Sequence, residues 1–240
     1  MTTLYAKELD HRALNEAIRG AGESVRITGC AGQRFIGAGM SGARIEIRGI
    51  PGNALGAYLN GAEITVEGNA QDAVGDTMNG GRIVVRGSIG DAAGYAMRGG
   101  EIFVRDNAGY RAGIHMKEYR EKIPVLVIGG RAGSFLGEYQ AGGVIVVLGL
   151  HEDSRRIVGD FPCTGMHGGR MFLRGDCRGI VFPPQVTARE ASEQDLEAIR
   201  GPVGEFAALF GLDAADLLAS PYTVVTPDSA NPYRRMYVEN

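Results

Sequence analysis

Short stretches of alternating apolar and polar residues recur along most of the chain. Examples are Arg44-Ile45-Glu46-Ile47-Arg48, Glu63-Ile64-Thr65-Val66-Glu67 and Arg82-Ile83-Val84-Val85-Arg86. Period-two alternation with β-branched residues predicts short strands with one face buried. The three stretches start nineteen residues apart, and other positions keep the same period. Gly42, Gly61, Gly80 and Gly99 form one column. Gly49, Gly68 and Gly87 form a second, with Asp106 at its next place, and Gly37, Gly56, Gly75, Gly94 and Gly113 a third. Met40, Leu59, Met78, Met97 and Met116 run alongside. The step from Gly113 to Gly137 is one repeat plus five residues, placing an insertion within Lys117–Pro124. A further insertion near His151–Arg156 precedes a last copy, in which Cys163 occupies the glycine column. Val25–Met40 is a first, partial copy.

One strand per nineteen residues is too short for a βαβ unit, whose crossover needs about a dozen residues. A propeller blade needs about forty. The pattern predicts a β-solenoid: an all-β core forming a single-stranded right-handed parallel β-helix of about eight rungs, with glycines at the corners where the chain must turn. Stacked strands lie about 4.8 Å apart. The outward columns Arg44-Glu63-Arg82-Glu101 and Arg48-Glu67-Arg86-Arg105 then become ion-pair ladders, with one like-charge step at the end of the second. The inward columns, Ile45-Ile64-Ile83-Ile102 and Ile47-Val66-Val85-Val104, form the core. A third outward column changes character, from Glu46 and Thr65 to Val84 and Phe103, and later strands carry Val144, Val146, Leu148 and Phe172 outward. Such an apolar stripe requires a cover, either the C-terminal segment or a partner subunit, and because solenoid ends need covering an end or the stripe could also make the chain a homo-oligomer.

That segment lacks the glycine period. Phe182-Pro183-Pro184 breaks the chain, and residues 187–220 read as helical. Ser192 caps a run Glu193–Arg200, Gly201-Pro202 interrupts it, Val203–Phe210 resumes, and Asp213–Leu218 forms a short helix. Leu196, Ile199, Val203, Phe206 and Leu209 make an amphipathic face. Ser220–Asn240, with three prolines, reads as extended, and His11–Arg19 as a helix capping the first coil. The expected organisation is a cap over residues 1–24, the β-helix over 25–180 and a helical and extended segment over 181–240.

Composition sharpens this picture. Glycine makes up 38 of 240 residues, about 16% against a usual 7% or so. With 44% hydrophobics and no strict third-residue period, the surplus belongs to a packed repeat and not to collagen. Net charge is −3, which favours neither nucleic acid nor an anionic membrane. No apolar run reaches the length of a bilayer span, and the N-terminus has no signal-peptide core. Three cysteines without a CxxC pair point away from disulfides and zinc and towards a cytoplasmic location.

Candidate chemistry is sparse. Neither a strand–GxGxxG–helix unit nor a P-loop occurs. His151-Glu152-Asp153 is a potential metal patch, but adjacent residues rarely converge on one ion. His115 and His167 occupy variable columns, as expected of surface or interface positions. Cys163 lies near Asp160 and His167 in sequence and could pair with the histidine or be a small buried thiol. With no tryptophan and few aromatics, no stacking platform is expected. No residue is assigned a catalytic, cofactor-binding or metal-ligating role.

Several motifs carry a resemblance: Ala31-Gly32-Gln33-Arg34-Phe35, the Gly-x-x-Met-x-Gly-Gly copies, Gly113-Ile114-His115-Met116-Lys117-Glu118-Tyr119, Val127-Ile128-Gly129-Gly130, Gly137-Glu138-Tyr139-Gln140-Ala141-Gly142-Gly143 and Gly165-Met166-His167-Gly168-Gly169. Over roughly residues 5–176 the chain resembles the GXGXG domain, the C-terminal β-helix of the glutamate synthase large subunit. The tail Asn231-Pro232-Tyr233-Arg234-Arg235-Met236-Tyr237 resembles the stand-alone glutamate synthase domain-3 type, related to a subunit of N-methylglutamate synthase. The resemblance implies a non-catalytic scaffold in nitrogen metabolism. Its expected partners are a glutaminase-type amidotransferase subunit and a flavin-binding glutamate synthase-type subunit. No cofactor belongs to this chain; flavin and an iron–sulfur cluster are expected in a partner. The same repeat is found in the non-catalytic β-helix subunits of formylmethanofuran dehydrogenase and of the formyltransferase/hydrolase complex, which gives an alternative. A third reading is an independent solenoid enzyme or ligand-binding protein, which would need acids, aromatics or histidines gathered along one face.

Overall fold

In the computed structural model, which describes residues 1–151, 156–175 and 177–229, eleven strands form one continuous sheet. Nine are parallel and follow chain order: β1 (Thr2–Tyr5), β2 (Ser24–Ala31), β3 (Arg44–Ile50), β4 (Asn60–Val66), β5 (Asn79–Val85), β6 (Gly99–Val104), β7 (Val125–Ile128), β8 (Ala141–Val147) and β9 (Gly168–Arg174). The order closes with β11 (Tyr222–Pro227) antiparallel to β9, and β10 (Val186–Glu190) antiparallel to β11. The parallel strands belong to a β-solenoid of about seven turns, in line with the stack of about eight rungs read from the sequence. Register follows the columns: Ile45 faces Ile64, Ile64 faces Ile83, and Ile83 faces Ile102. The five-residue insertion shifts Ile102 onto Leu126, and the second shifts Ile145 onto Met171.

The coil turns through a left-handed loop that precedes each of the strands β3 to β9. Positive φ recurs at alternate residues, as at Ala54, Gly56 and Tyr58 (62°, 64° and 58°) and again at Ala73, Gly75 and Thr77. The middle residue donates its N–H back to the preceding coil, Gly56 to Ile36 O and Gly75 to Leu55 O, both at 2.8 Å. The flanking residues donate forward, Ala54 to Asp72 O and Tyr58 to Asp76 O. Every internal coil is therefore bonded through its loop in both directions. The middle column is glycine for a steric reason besides its φ. A Cβ on Gly56 would lie 2.6 Å from Ile83 Cδ1, and one on Gly75 would strike Ile102 Cδ1. A Cβ on Gly94 would meet nothing nearer than Met97 Sδ at 3.8 Å. Cys163 holds the same place at φ 60°. It is fully buried, its Sγ 3.6 Å from Met171 Sδ, and burial pushes its thiol pKa up to about 12.

Both ends need substitutes for a missing coil. At the start, α1 (His11–Gly20) covers the first turn, N-capped by the Asp10 side chain. Its buried Asn15 presents Oδ1 to Gly37 N at 3.0 Å, in the place where later coils offer a carbonyl. At the finish, β11 buries Val224 on one face and Val225 on the other. The extended reading of the tail holds for Tyr222–Pro227; residues 230–240, including the Asn231–Tyr237 motif, lie outside the described residues. Two strands were not foreseen. β1 precedes the glycine period, and β10 falls in a stretch read as helix. Its Thr-Ala-Arg-Glu sequence has no apolar alternation, and it is held by pairing with β11 instead.

The C-terminal helix provides the expected cover. The outward apolar stripe packs against α2 (Glu193–Phe210) and α3 (Ala214–Leu218), with Val84, Phe103, Val127, Val146 and Phe172 under Ile199, Val203 and Phe206. Gly129 allows the approach, since a Cβ there would sit 2.6 Å from Phe206 Cζ. Ser192 and Asp195 form a capping box, and Arg189 pairs with Asp195 at 2.6 Å. The helix does not break at Gly201-Pro202. It runs through both residues, because Gly201 has no Cβ to clash with the proline ring and the buried face on either side stays docked. The last turn of α2 carries no basic residue. Arg86, just past β5, donates to Leu209 O at 3.1 Å, and Arg174 of β9 likewise to Leu217 O of α3. Cations there complement the helix dipole. Arg82 pairs with both Glu101 (2.8 Å) and Glu205 of α2 (2.6 Å).

The ladders form mostly as read: Arg44–Glu63 at 3.3 Å and Glu67–Arg86 at 3.5 Å. At the like-charge step, Arg105 turns to Asp106 at 3.1 Å. Such exposed pairs contribute under about 1 kcal/mol each; their main value is as evidence of register.

Three outcomes test this architecture. Gly75→Val should lower the melting temperature markedly, combining left-handed strain of about 1–2 kcal/mol with overpacking of about 1–3 kcal/mol. Gly94→Ala should show the strain alone, so equal melting temperatures would contradict the close packing on Ile102. Asn15→Leu should cost about 1–3 kcal/mol by orphaning the buried Gly37 N–H, read by denaturant unfolding and by faster exchange of that amide. Cys163 should resist a thiol reagent such as dithionitrobenzoate until the protein is denatured; rapid labelling of this residue in the native state would contradict its burial.

Candidate functional site

The residues singled out from the sequence do not converge. Cys163 Sγ faces Met171 Sδ, whereas His167 Nδ1 lies 3.0 Å from Gly165 O. The possible cysteine–histidine pair is thus not formed. Asp160 is engaged by Arg156 at 2.6 Å. Of the potential metal patch, Glu152 and Asp153 lie outside the described residues. His151 Nε2 is 3.9 Å from Asp106 Oδ1 and lies against Gly130. Among the described residues, no group of three or more His, Cys, Asp or Glu side chains is placed to hold a metal ion.

One expectation needs correction. The sequence offered no gathering of aromatics or histidines along one face, but the left-handed loops create one. The loop position that holds Phe35 in the first coil and Ala54, Ala73 and Ala92 in the next three holds Arg111, Phe135 and Phe161 in the later ones. Phe135 stacks on Phe161 with centroids 5.3 Å apart, and the Arg111 guanidinium lies 5.1 Å from the Phe135 centroid. Arg111 also pairs with Glu138 at 3.0 Å. Four residues on in the same loops, His115 stacks almost parallel on Tyr139 at 5.2 Å, and Tyr95 meets His115 edge-on at 5.9 Å. His115 is therefore a member of an aromatic row, in agreement with its surface assignment. The signal in the sequence was the nineteen-residue column itself. The insertions stretch its steps to 24 and 26 residues, so these rings do not align until the insertions are removed.

Beside this row is an open groove of about 630 Å³ lined by Asn107, Tyr110, Arg131, Ser134 and Arg156. Its polar groups are largely engaged in holding coils together. Asn107 Oδ1 accepts from Arg131 N, and Ser134 Oγ accepts from Asp160 N, both at 2.9 Å. A second buried polar group was missed. Gln140 replaces a methionine in the interior column and donates Nε2 to Gly142 O and Gly143 O, both at 3.1 Å. It thus ties the strand entry of its own coil. Stacking surfaces, cations and backbone-locked amides can recognise a partner. They do not supply an activated nucleophile or an acid–base pair.

Comparison with known proteins agrees with this architecture. The family model of the GXGXG motif matches residues 13–228. An uncharacterized protein of Methanocaldococcus jannaschii, MJ1350, is 43% identical over 130 residues, covering 52% of this chain and 50% of that one. The chain thus spans about half the length of the curated relative it matches. Among solved structures, the formyltransferase/hydrolase complex FhcABCD of Methylorubrum extorquens, in complex with methylofuran, matches with a TM-score of 0.61 over 95% of this chain and 91% of that chain. At 21% identity this is a likeness of fold. With the family match extending over nearly all of the coil stack, the chain belongs to the GXGXG family.

Proposed function

We propose that this chain is a non-catalytic structural subunit of a glutamate synthase-like complex. In this reading its coil stack holds a glutaminase-type amidotransferase subunit and a flavin-binding synthase subunit in fixed relation, in the formation of glutamate or N-methylglutamate. The supporting observation is the GXGXG match over residues 13–228, in a chain whose described structure is chiefly the coil stack and its covering helices. Flavin and the iron–sulfur cluster reside in a partner, and the complex is cytoplasmic. No described helix is long and apolar enough to cross a membrane.

The fold match to FhcABCD favours a second reading, a β-helix subunit of a formyl-transfer complex. Both readings make the chain a scaffold, and the identity of its partners separates them.

Affinity purification of the tagged chain from its native host, followed by mass spectrometry, tests both. The first reading expects an amidotransferase and a flavoprotein in constant ratio, with glutamate-forming activity in the complex and none in the isolated chain. Formyltransferase or hydrolase subunits in their place would establish the second. Turnover by the isolated chain would overturn both.

A further inference from the structure

The aromatic row is costly to maintain, and the coil does not require it. Alanine serves at the same loop positions in other coils, as Ala92 does for Phe161 and Ala96 for His115. Bulky side chains at positive φ are uncommon, yet His115, Phe135, Tyr139 and Phe161 hold φ between 52° and 61°. The edge is also open to solvent: Tyr95 is 40% exposed, Tyr110 55% and Phe161 61%. Retained strain together with exposed aromatic area marks a surface kept for association.

The charges beside the row indicate what it meets. On the strand side of the loops, Arg98 and Lys117 are exposed, one coil apart, and no ion pair among the described residues engages either. On the opposite side of the loops lie Asp72 and Asp91, also exposed. At the height of these coils the strip therefore has one basic and one acidic border, while farther along the acidic side Asp160 is paired with Arg156. Consider a second copy related by a two-fold axis that lies in the contact plane and runs along the coil axis. Each border then faces the opposite border at the same height, so Asp91 meets Arg98 of the second chain and Tyr110 meets Lys117. An axis along the strands would instead set Arg98 against Lys117, which repel. The surface is thus self-complementary in one orientation, as an isologous contact requires.

We propose that this edge is a homodimer interface, formed by two coil stacks lying side by side in the same direction through their left-handed loops. The inference is independent of which complex the chain serves. The strip is about four coils tall, roughly 20 Å at strand spacing, which is smaller than a standard interface. The dimer is accordingly reversible, and its charged borders make it sensitive to salt.

Sedimentation velocity on the purified chain from about 1 to 200 µM covers the affinity expected of so small a contact. Wild type should shift from monomer to dimer with concentration, and less so in high salt. Arg98→Glu with Lys117→Glu, and separately Tyr95→Ser with Phe161→Ser, should each weaken dimerisation at least tenfold while leaving the melting temperature unchanged. The second pair serves as the test if the first is misfolded. A monomer at every concentration would overturn the proposal. So would a dimer indifferent to both folded variants, which would place the contact elsewhere, for example on the free edge of β10.

Discussion

The left-handed loop, bonded to the coil before it and the coil after it, is the constraint on which the rest of the structure depends. Its central N–H points back and its flanking N–H groups point forward, so no coil satisfies its own backbone. The central residue must also leave room for the isoleucine of the next strand, as Gly56 does for Ile83. Stability in such a stack is a sum of nearest-neighbour contacts, and its ends are the weak points. This chain meets both ends explicitly. A side-chain amide, Asn15, replaces the missing carbonyl at one end, and an antiparallel pair of strands closes the other.

The strand face is divided in two. Over β2–β4 its outward residues are charged or polar and pair among themselves, as Arg26 does with Glu46 at 2.8 Å. From Val84 onward the middle outward column, Val84-Phe103-Val127-Val146-Phe172, is apolar, and there α2 begins its cover. The sheet then treats the helix as its own. Arg82 holds Glu205, and Arg86 and Arg174 close the exposed carbonyls at two helix ends. A partner therefore finds this half of the strand face already occupied. The loop edge is open, with rings, cations and carboxylates presented on a backbone locked by hydrogen bonds. Rigid presentation of this kind lowers the cost of docking, because little order has to be gained when a partner binds.

Much of the fold was legible because a solenoid turns three-dimensional neighbours into a fixed spacing in sequence. The columns Ile45-Ile64-Ile83-Ile102 and Arg44-Glu63 could be paired from their spacing alone, and the apolar stripe announced that something must cover it. The aromatic edge was not legible in the same way. Phe135 and Phe161 meet only after an insertion is looped out, and residues such as Tyr58 and His115 give no local sign that they adopt a conformation usually left to glycine. The passage of α2 through Gly201-Pro202 was hidden for a related reason. The local preference is to break there, and burial of the flanking apolar face overrides it.

The sequence by itself determined the coil, its register and its interior, because alternation within a strand and repetition between strands are encoded residue by residue. The tertiary structure alone decided the ends, the choice of the chain's own helix over a partner as cover, and the assembly of the aromatic edge. Those outcomes depend on contacts between segments of unrelated pattern, where packing and hydrogen-bond demand outweigh local propensity.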